Sequence, residues 1–343
     1  MKVALLTDGH KSRWEDFVLA HSECSLYHHW GWKEVVERSY GHTCFYLLAE
    51  EGDRLLGILP LVKVKSMLFG SSLTSLPYLD SAGVVVADDH ARQSLLDEAI
   101  RLTRENNLHH LELRQTKALE NGWPTLTHKV CLTLSLQPDL ELLWKSLPPE
   151  RRNRIRKAEK NDLSVEFGGR ELLSVFYDIW TENMRDLGSP PHSFHFFDNI
   201  LKCFPSCSRI VLVKHKAVPV GGAVCLFYKK RFHVPWVSSL REYFDLYPNN
   251  LLYWEAMKHA ASSGYEVFDF GRSSIGSGTY IFKLRWGAKE EPLFWQYKLS
   301  EGSNQKPPSR DDFKQNLAVK MWKRMPVGAT RLIGPKIRKF ITA

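Results

Sequence analysis

The stretch LLAEEGDRLLG, residues 47–57, decides the fold because a similar stretch stands later in the chain. A shift of 164 residues lays it over VLVKHKAVPVG, residues 211–221, with Gly57 over Gly221. Each copy has an apolar run, a polar turn and a second apolar run, which predicts two strands joined as a hairpin. The sequence therefore predicts the same structural unit twice.

The elements around the two hairpins repeat in the same order. A short helix is predicted before each hairpin, in WGWKEVVERSY (30–40) and in FFDNILKCF (196–204). A longer helix and then a strand follow each hairpin, and HHLELR (109–114) and EVFDFG (266–271) stand 157 residues apart. Identity between the copies is low, so chance similarity stays open, but order and spacing both favour a duplication.

We therefore predict an α/β (α+β) protein with two tandem domains, each a mixed sheet flanked by helices. The predicted boundaries are 1–140 for the first domain, 141–300 for the second domain, which carries the active site, and 301–343 for a basic, partly amphipathic tail. A chain of 343 residues exceeds one hydrophobic core, which agrees with two domains.

Composition predicts a cytoplasmic protein with ordinary folded cores. Hydrophobic residues make up 43% of the chain, and no apolar run is long enough to cross a bilayer. The first residues, MKVALLTDGH, lack a signal-peptide pattern, and the six cysteines form no CxxC pair. The pairs His28-His29 and His109-His110 have no partners at metal-ligand spacing, so no metal site is predicted.

Positive charge is concentrated in the tail. The net charge of the chain is +9. Eight Lys or Arg and no Asp or Glu lie from residue 313 onward, and the residues before it contain 39 basic and 38 acidic groups. A basic and apolar tail suits the anionic inner face of the cytoplasmic membrane. A flexible, solvated tail is the alternative.

A second basic segment, SLPPERRNRIRKAEKNDL (146–163), predicts a short helix after a Pro-Pro break. Its arginines, Arg151, Arg152 and Arg156, are candidates for binding the phosphates of a donor, because guanidinium groups bind phosphate oxygens bidentately. A solvated surface helix is the alternative.

The stretch DFGRSSIGSGTYIFKLRWG, residues 269–287, is the candidate active site. It predicts a buried strand, a glycine-rich loop and a second strand starting at Tyr280, with Lys283 on the opposite face from Tyr280 and Phe282. Transfer of an acyl group to an amine needs an aligned carbonyl and stabilisation of a developing oxyanion, and it needs no protein nucleophile. Lys283 and Arg272 could hold donor phosphates or stabilise that charge, and Asp269 could orient a cation or accept a proton. The alternatives are surface cations and a solvent-facing Asp269.

Further candidates for substrate contact surround these three residues. His195 in RDLGSPPHSFHFF could act as a general base, or it is a surface histidine. Asn249 could contact substrate or, like Asn250, cap its helix. The full substrate-binding set is Gly271, Ser273, Gly276, Gly278, Tyr280, Arg285, Trp286, Asn249, Tyr253, Glu255 and His195.

These motifs resemble the FemAB family of peptidyl and aminoacyl transferases, and most of all its branch associated with the exosortase/PEP-CTERM exopolysaccharide system. The resemblance rests on YHHWGWKEVVERSYGH (27–42), SLPPERRNRIRKAEKNDL, RDLGSPPHSFHFF and residues 249–287, and it covers the chain to about residue 300. It implies two GNAT-like folds in tandem, with donor aminoacyl-tRNA or acyl-CoA and no tightly bound cofactor. The family's FK-x-x-[WF]-G motif stands at Phe282–Gly287, and its lysine, here Lys283, is linked to transfer in the family.

The sequence departs from the family at the next strand. LFWQYKL (293–299) has Gln296 where cell-wall members often carry a carboxylate. The resemblance implies an N-acyl or aminoacyl transferase that acts on an amine of a peptidoglycan or exopolysaccharide precursor, which would be lipid-linked. The alternatives are an acyl-CoA-dependent N-acetyltransferase of an amino sugar and a non-catalytic RNA-binding or scaffold protein.

Overall fold

The computed structural model of the chain describes residues 1–66, 70–300 and 312–342, and side chains are described for these except 312–317. The chain divides into two compact units. Unit 1 contains Met1–Lys129, the stretch that begins at Pro292 and the residues from Arg338 onward. Unit 2 contains Val130–Glu291 and the stretch that ends at Ile337.

Unit 1 is a mixed sheet with helices. Its elements are β1 (Lys2–Leu5), α1 (Lys11–Ala20), α2 (Gly31–Tyr40), β2 (Thr43–Glu51), β3 (Arg54–Ser66), β4 (Gly70–Thr74), β5 (Val85–Val86), α3 (Asp89–Glu105) and β6 (His110–Gln115). The hairpin predicted around Gly52 is present as β2 and β3, which pair antiparallel. Leu95, Ala99 and Leu102 of α3 are buried against the sheet, so this predicted helix face is also confirmed.

Unit 2 repeats this order. Its elements begin with β7 (Thr125–Ser135), whose first residues belong to unit 1, and continue with α4 (Leu140–Ser146), α5 (Pro149–Lys160), β8 (Leu163–Gly168), α6 (Leu173–Leu187), α7 (Phe194–Cys203), β9 (Ser208–His215), β10 (Val218–Tyr228), β11 (Arg231–Ser239), α8 (Pro248–Ser262), β12 (Val267–Ser274) and α9 (Gly278–Leu284). The last strand is β13 (Lys289–Leu299), and the tail contains α10 (Asp312–Lys323) and α11 (Val327–Arg338).

The strand order of the two units matches strand for strand. Unit 1 has the order β1-β2-β3-β4-β6, and unit 2 has β8-β9-β10-β11-β12. In each unit the last pair is parallel over three residues: Ser72–Thr74 with His110–Glu112, and Arg231–His233 with Val267–Asp269. A short parallel pair is thus present at the same place in the strand order of both units, as the duplicated sequence pattern implied.

Each sheet receives its next strand from elsewhere in the chain. In unit 1 the strand beside β6 is β13, where residues 294–299 pair antiparallel with residues 110–115. In unit 2 the neighbour of β12 is β7. These units therefore differ from the predicted division at residues 140 and 300, because β7 leads into unit 2 before residue 140 and most of β13 belongs to unit 1.

Two local predictions are wrong. Residues 278–284 form the helix α9 and not a strand, because Ser277 caps it by accepting a hydrogen bond from the Tyr280 N–H at 3.3 Å. The predicted alternation of side chains on two strand faces therefore does not apply to Lys283. Helix α8 is capped by neither Asn249 nor Asn250: its N-cap is Tyr247, with Pro248 at the first helical position.

The tail is folded over its described residues. In unit 2, Val319 of α10 lies against Gly188, Gly334 of α11 lies against Pro191, and Arg331 pairs with Asp178. In unit 1 the last described residues pack beside the loop that follows β4, and the Thr342 carbonyl accepts from Tyr78 N at 3.0 Å. The alternative of a flexible, solvated tail therefore does not describe residues 318–342.

Fully buried Arg114 fixes that end of unit 1. Its guanidinium donates to Glu112 at 2.7 Å, to the Leu79 carbonyl at 3.1 Å and to the Thr342 carbonyl at 2.8 Å, and it lies 4.1 Å from the ring centroid of Trp295. Arg114 of β6 thus ties the loop that follows β4 to the last described residues of the tail. The residues that follow the parallel pair of β11 and β12 in unit 2 are different.

Candidate active site

The parallel ladder between β11 and β12 is interrupted just after Asp269. Pro235 in β11 has no N–H to donate, and Gly271 in β12 takes φ +77°, the left-handed region that favours glycine. A Cβ atom at Gly271 would lie 3.2 Å from His233 Nε2 and 3.2 Å from Pro235 Cα, so the close approach also requires glycine. We call this break at Gly271 the bulge, and the Gly271 and Arg272 carbonyls there accept hydrogen bonds from a side chain of α9.

Lys283 is the residue that meets this bulge. It lies on α9, its side chain is only 7% exposed, and its Nζ donates to the Gly271 carbonyl at 2.8 Å and to the Arg272 carbonyl at 3.2 Å. An ammonium group held by two backbone carbonyls has a fixed position. The sequence predicted that Lys283 and Arg272 share one site. In the structure the Lys283 ammonium contacts the backbone carbonyl of Arg272.

Asp269 is held in an ion-pair cluster directly before the bulge. Its Oδ1 accepts from the Gly271 N–H at 2.8 Å, and its Oδ2 lies 2.9 Å from Arg231 Nη1. Arg231 also contacts Glu291, whose Oε2 lies 3.0 Å from Nη1. Asp269 is 4% exposed, so it does not point at solvent. With both oxygens engaged, this carboxylate is suited to fixing the bulge and the cation beside it.

An aromatic cluster holds α9 in place. Phe282 and Trp286 pack against Tyr253 of α8 and Phe270 of β12, with ring centroids 5.1 to 6.4 Å apart. Trp286 is fully buried. Burial raises the pKa of Tyr253, so its hydroxyl stays protonated near neutral pH. Tyr253 and Trp286, both predicted as substrate contacts, thus also support the backbone that carries Lys283.

The glycine-rich loop lies between β12 and α9. Gly276 takes φ +78°, and Gly278 begins α9. Ser273 is 5% exposed, and its Oγ has no hydrogen-bond partner among the described residues. Arg285 is exposed to solvent. Tyr280 donates to Glu290 at 2.6 Å, and this hydrogen bond raises the pKa of Tyr280.

Three other predicted residues have different partners. Asn249 Oδ1 accepts from Ser239 Oγ at 2.7 Å, so its side chain ties the end of β11 to the start of α8. Glu255 pairs with Lys258 at 2.6 Å along α8. His195 is exposed on α7, where its ring centroid lies 6.2 Å from that of Phe194.

The arginines of α5 differ from one another. Arg156 is exposed and lies 5.4 Å from the ring centroid of Trp144, whereas Arg152 is half-buried. Arg151 is fully buried, its guanidinium lies 5.7 Å from the Phe282 ring centroid, and it pairs with Glu150 at 2.8 Å. Two of its atoms, Nε and Nη1, have no hydrogen-bond partner among the described residues, and burial lowers the pKa of Arg151. The solvated-helix alternative therefore fails for Arg151.

The sequence interpretation missed several residues of this site. Arg231 and Glu291 form the charged surroundings of Asp269, and His233 Nε2 lies 3.9 Å from Asp269 Oδ1. They are far from Asp269 in sequence, and only the strand pairing brings them together. Two residues in the sequence were signals for the bulge: Pro235 in β11 and Gly271 in β12.

The structure also bears on cysteine nucleophiles, metal binding and membrane-spanning helices. Burial raises the pKa of the Cys44 and Cys225 thiols, which disfavours both as nucleophiles. Over residues 1–66, 70–300 and 312–342, no three His, Cys, Asp or Glu side chains are grouped as a metal-binding set. Within the same ranges, no helix is both long enough and apolar enough to span a membrane.

Comparison with known proteins agrees with the fold. Residues 150–284 match the acetyltransferase (GNAT) domain family. A lipid II:glycine glycyltransferase of Staphylococcus haemolyticus is 29% identical over 85 residues, which is 22% of this chain and 20% of that protein. The match thus spans about a fifth of the length of that relative.

Two solved structures have the same architecture. The crystal structure of FemX is 16% identical, covers 86% of this chain and 97% of its own, and gives a TM-score of 0.67. A tandem GNAT protein from the clavulanic acid biosynthesis pathway is 11% identical, covers 89% and 99% of the two chains, and gives a TM-score of 0.56. The tandem GNAT-like fold is therefore confirmed, and residues 150–284 are similar in sequence to GNAT acetyltransferases.

Proposed function

We propose that unit 2 transfers an acyl or aminoacyl group from an activated donor to an amine of a cell-envelope precursor. The observation that carries the proposal is the buried Lys283 ammonium, which the Gly271 and Arg272 carbonyls hold beside the bulge of β12. A preorganised cation stabilises negative charge on a carbonyl oxygen without having to reorganise during the reaction. The similarity to FemX and to the glycyltransferase supports the FemAB-like interpretation, including a peptidoglycan or exopolysaccharide precursor as acceptor.

In this mechanism the incoming neutral amine attacks the donor carbonyl, and negative charge develops on the carbonyl oxygen. Lys283 stabilises that oxygen. As the tetrahedral intermediate collapses, the bond to the donor's leaving group breaks, the new amide bond remains, and the proton that the amine gives up passes to the leaving group. Asp269 acts as a positioning residue, because its oxygens already accept from the Gly271 N–H and pair with Arg231. Gly271, Arg272 and Ser273 form the wall of the site beside Lys283.

We propose aminoacyl-tRNA as the donor, with acyl-CoA as the alternative. The basic α5 offers the exposed Arg156 and the half-buried Arg152 for phosphate contacts. The first turn of α8, which follows β11, is poorly suited to a pyrophosphate. Pro248 has no N–H, and the N–H groups of Asn250 and Leu251 both donate to the Tyr247 carbonyl. Arg151, which is buried beside Phe282, would then orient α9 and its Lys283.

The acceptor is proposed to be lipid-linked, and the tail supports a peripheral contact with the inner face of the cytoplasmic membrane. Its helices expose Met321, Leu332 and Ile333, which are 64%, 70% and 40% exposed. Exposed cations accompany them on the same helices, at Lys320, Lys323 and Lys336, and at Arg324 directly after α10. Exposed apolar side chains among cations are typical of helices that lie on an anionic bilayer surface.

A transfer assay with matched donors tests the function. The purified chain is given labelled aminoacyl-tRNA or labelled acyl-CoA together with a lipid-linked envelope precursor or a free amino sugar. Labelled amide formed from aminoacyl-tRNA on the lipid-linked precursor is the expected result. Transfer from acyl-CoA to the amino sugar would favour the alternative N-acetyltransferase, and no amide from any pairing would contradict the proposal. The non-catalytic RNA-binding alternative is set aside because residues 150–284 match an acyltransferase domain.

A further inference from the structure

Unit 1 has a cavity of its own, separate from the residues of the proposed active site. Its volume is about 390 Å³, within the range of small-molecule pockets. Its walls come from the end of β6, from the loop that precedes β5 and from the residues that follow α1. The cluster of Leu79, Arg114 and Thr342 shares no residue with the lining of this cavity, so the two are different places on unit 1.

Gln115 lines the cavity with an unpartnered donor. The residue is only 5% exposed, and its Nε2 has no hydrogen-bond partner among the described residues. Gly83 is opposite, and a Cβ atom there would overlap the Gln115 side chain, so the amide is held in place. His28 fixes the Gly83 loop, since Ser25 N–H donates to its Nδ1 and its Nε2 lies 3.2 Å from the Gly83 carbonyl. A buried amide N–H without an acceptor costs free energy unless a ligand oxygen meets it.

The charges around the cavity are mixed. Arg92 and Lys117 are positive, Glu23 and Glu120 are negative, and Val85 contributes an apolar wall. Lys117 Nζ lies 2.5 Å from Glu23 Oε1, and the two side chains are 78% and 46% exposed, respectively. A simple anion would meet the two glutamates, and a simple cation would meet Arg92, Lys117 and the Gln115 N–H. A ligand that carries both charges satisfies both sets.

We propose that this cavity binds a small zwitterion, which is either a free amino acid or the end of a short peptide. The ligand carboxylate accepts from Gln115 Nε2 and lies near Lys117 and Arg92. The ligand amine lies near Glu23 and Glu120, and a small apolar side chain contacts Val85. This site does not depend on the proposed function of unit 2.

Isothermal titration calorimetry on the full chain tests the proposal. The probes are glycine, L-alanine and L-alanyl-L-alanine, with acetate and methylammonium as probes of a single charge. The zwitterions are expected to bind at least about tenfold more tightly than either single-charge probe, because a hydrogen bond to a charged group is involved. Tighter binding of alanine indicates a free amino acid, and tighter binding of the dipeptide indicates a peptide end. No binding by any zwitterion at millimolar concentration would overturn the proposal.

Substitutions in the cavity test whether the zwitterion binds there. Gln115→Glu keeps the shape but puts an acceptor where the donor was, so zwitterion affinity is expected to fall about tenfold or more. Lys117 is at the surface, so Lys117→Glu is the second variant if Gln115→Glu does not fold. It is also expected to lower the affinity for the zwitterion. Lys298→Gln, an exposed position on β13, is the control and leaves affinity unchanged. Unchanged affinity in both Lys117→Glu and a folded Gln115→Glu would show that the zwitterion binds elsewhere.

Discussion

Asp269 is the residue whose role the structure narrows most. The sequence left it as a proton acceptor, a partner of a cation or a solvent-facing acid, and the structure surrounds it with Arg231, the Gly271 N–H and His233. A carboxylate that positions a backbone bulge keeps part of its function when an amide replaces it, because an amide oxygen still accepts from an N–H.

Asp269→Asn is therefore expected to retain activity within about tenfold of the unchanged protein, since one neutral hydrogen bond is weaker than a charge-assisted one by about 1 kcal/mol. Asp269→Ala loses the Gly271 contact as well and is expected to lose considerably more. The measurement is the transfer rate constant at saturating acceptor. Equal and near-complete loss in both variants would identify Asp269 as the base.

Lys283 shows how far residue-level prediction reached. Its motif pointed to a buried lysine that contacts the Arg272 backbone, but the geometry of Lys283 was predicted from strand alternation. The helix at 278–284 was missed because Tyr280 and Phe282 favour strands in isolation, while the Ser277 cap and the packing of Phe282 and Trp286 on Tyr253 decide the outcome. Tertiary packing overrode local propensity.

At the scale of elements, the hairpins, the long helices and the strands after them could be predicted, because each has its own periodic pattern. The neighbours of β6 and β12 could not be predicted, since β13 and β7 join those strands from distant parts of the sequence. Arg231 and Glu291 were missed for the same reason. Strand pairing is non-local, and a single sequence holds no direct record of it.

Helix α5 provides a test of the donor. Each phosphate contact releases about one counterion, so removing two contacts lowers the salt dependence of tRNA affinity by about two in the log–log slope. Arg152→Gln with Arg156→Gln is expected to show that decrease by filter binding over a range of salt. The control pair Lys65→Gln with Lys298→Gln removes the same charge from exposed strand positions of unit 1. An equal change in both pairs would show that only net charge matters.

The tail helices α10 and α11 provide a test of the membrane contact. Because these helices pack on unit 2, substitution of exposed residues is a cleaner test than truncation. Leu332→Gln with Ile333→Gln should weaken sedimentation with anionic vesicles, since apolar burial contributes to interfacial binding. Lys323→Gln with Lys336→Gln should weaken it mainly at low salt, by about 1 kcal/mol for each cation. Full-length protein that ignores anionic vesicles at low salt would exclude this contact.

The whole molecule should lose stability on mild acidification. Burial lowers the pKa of His29, His42, His110 and His259 below the ordinary value of 6.5. The unfolded chain then binds more protons than the folded one below that value, so the free energy of unfolding decreases as the pH falls. Between about pH 6.5 and pH 5.5 each histidine removes at most about 1.4 kcal/mol.

Urea unfolding at about pH 7.5 and about pH 5.5 measures this loss, and the midpoint is expected to be lower in acid. Most carboxylates titrate below this window, so they contribute little to the difference. A midpoint that stays constant or rises at the lower pH would mean that these histidines protonate without cost.

The central claim is that the Lys283 ammonium acts on the transfer reaction. Lys283→Met keeps the apolar stem and removes the charge, and it also leaves the Gly271 and Arg272 carbonyls without their donor, so a loss of stability of about 1–3 kcal/mol accompanies it. Thr181→Val is the matched control, because it removes a buried hydrogen bond to the Tyr177 carbonyl elsewhere in unit 2.

The most direct measurement compares the single-turnover transfer rate of the unchanged protein, Lys283→Met and Thr181→Val, below the melting temperature of all three. The account predicts a fall of about 100-fold or more for Lys283→Met, which corresponds to the loss of ~3 kcal/mol of oxyanion stabilisation. Thr181→Val should keep nearly the full rate at a similar loss of stability. A Lys283→Met protein that is folded and transfers as fast as Thr181→Val would contradict the claim and would leave Lys283 only the task of tying α9 to β12.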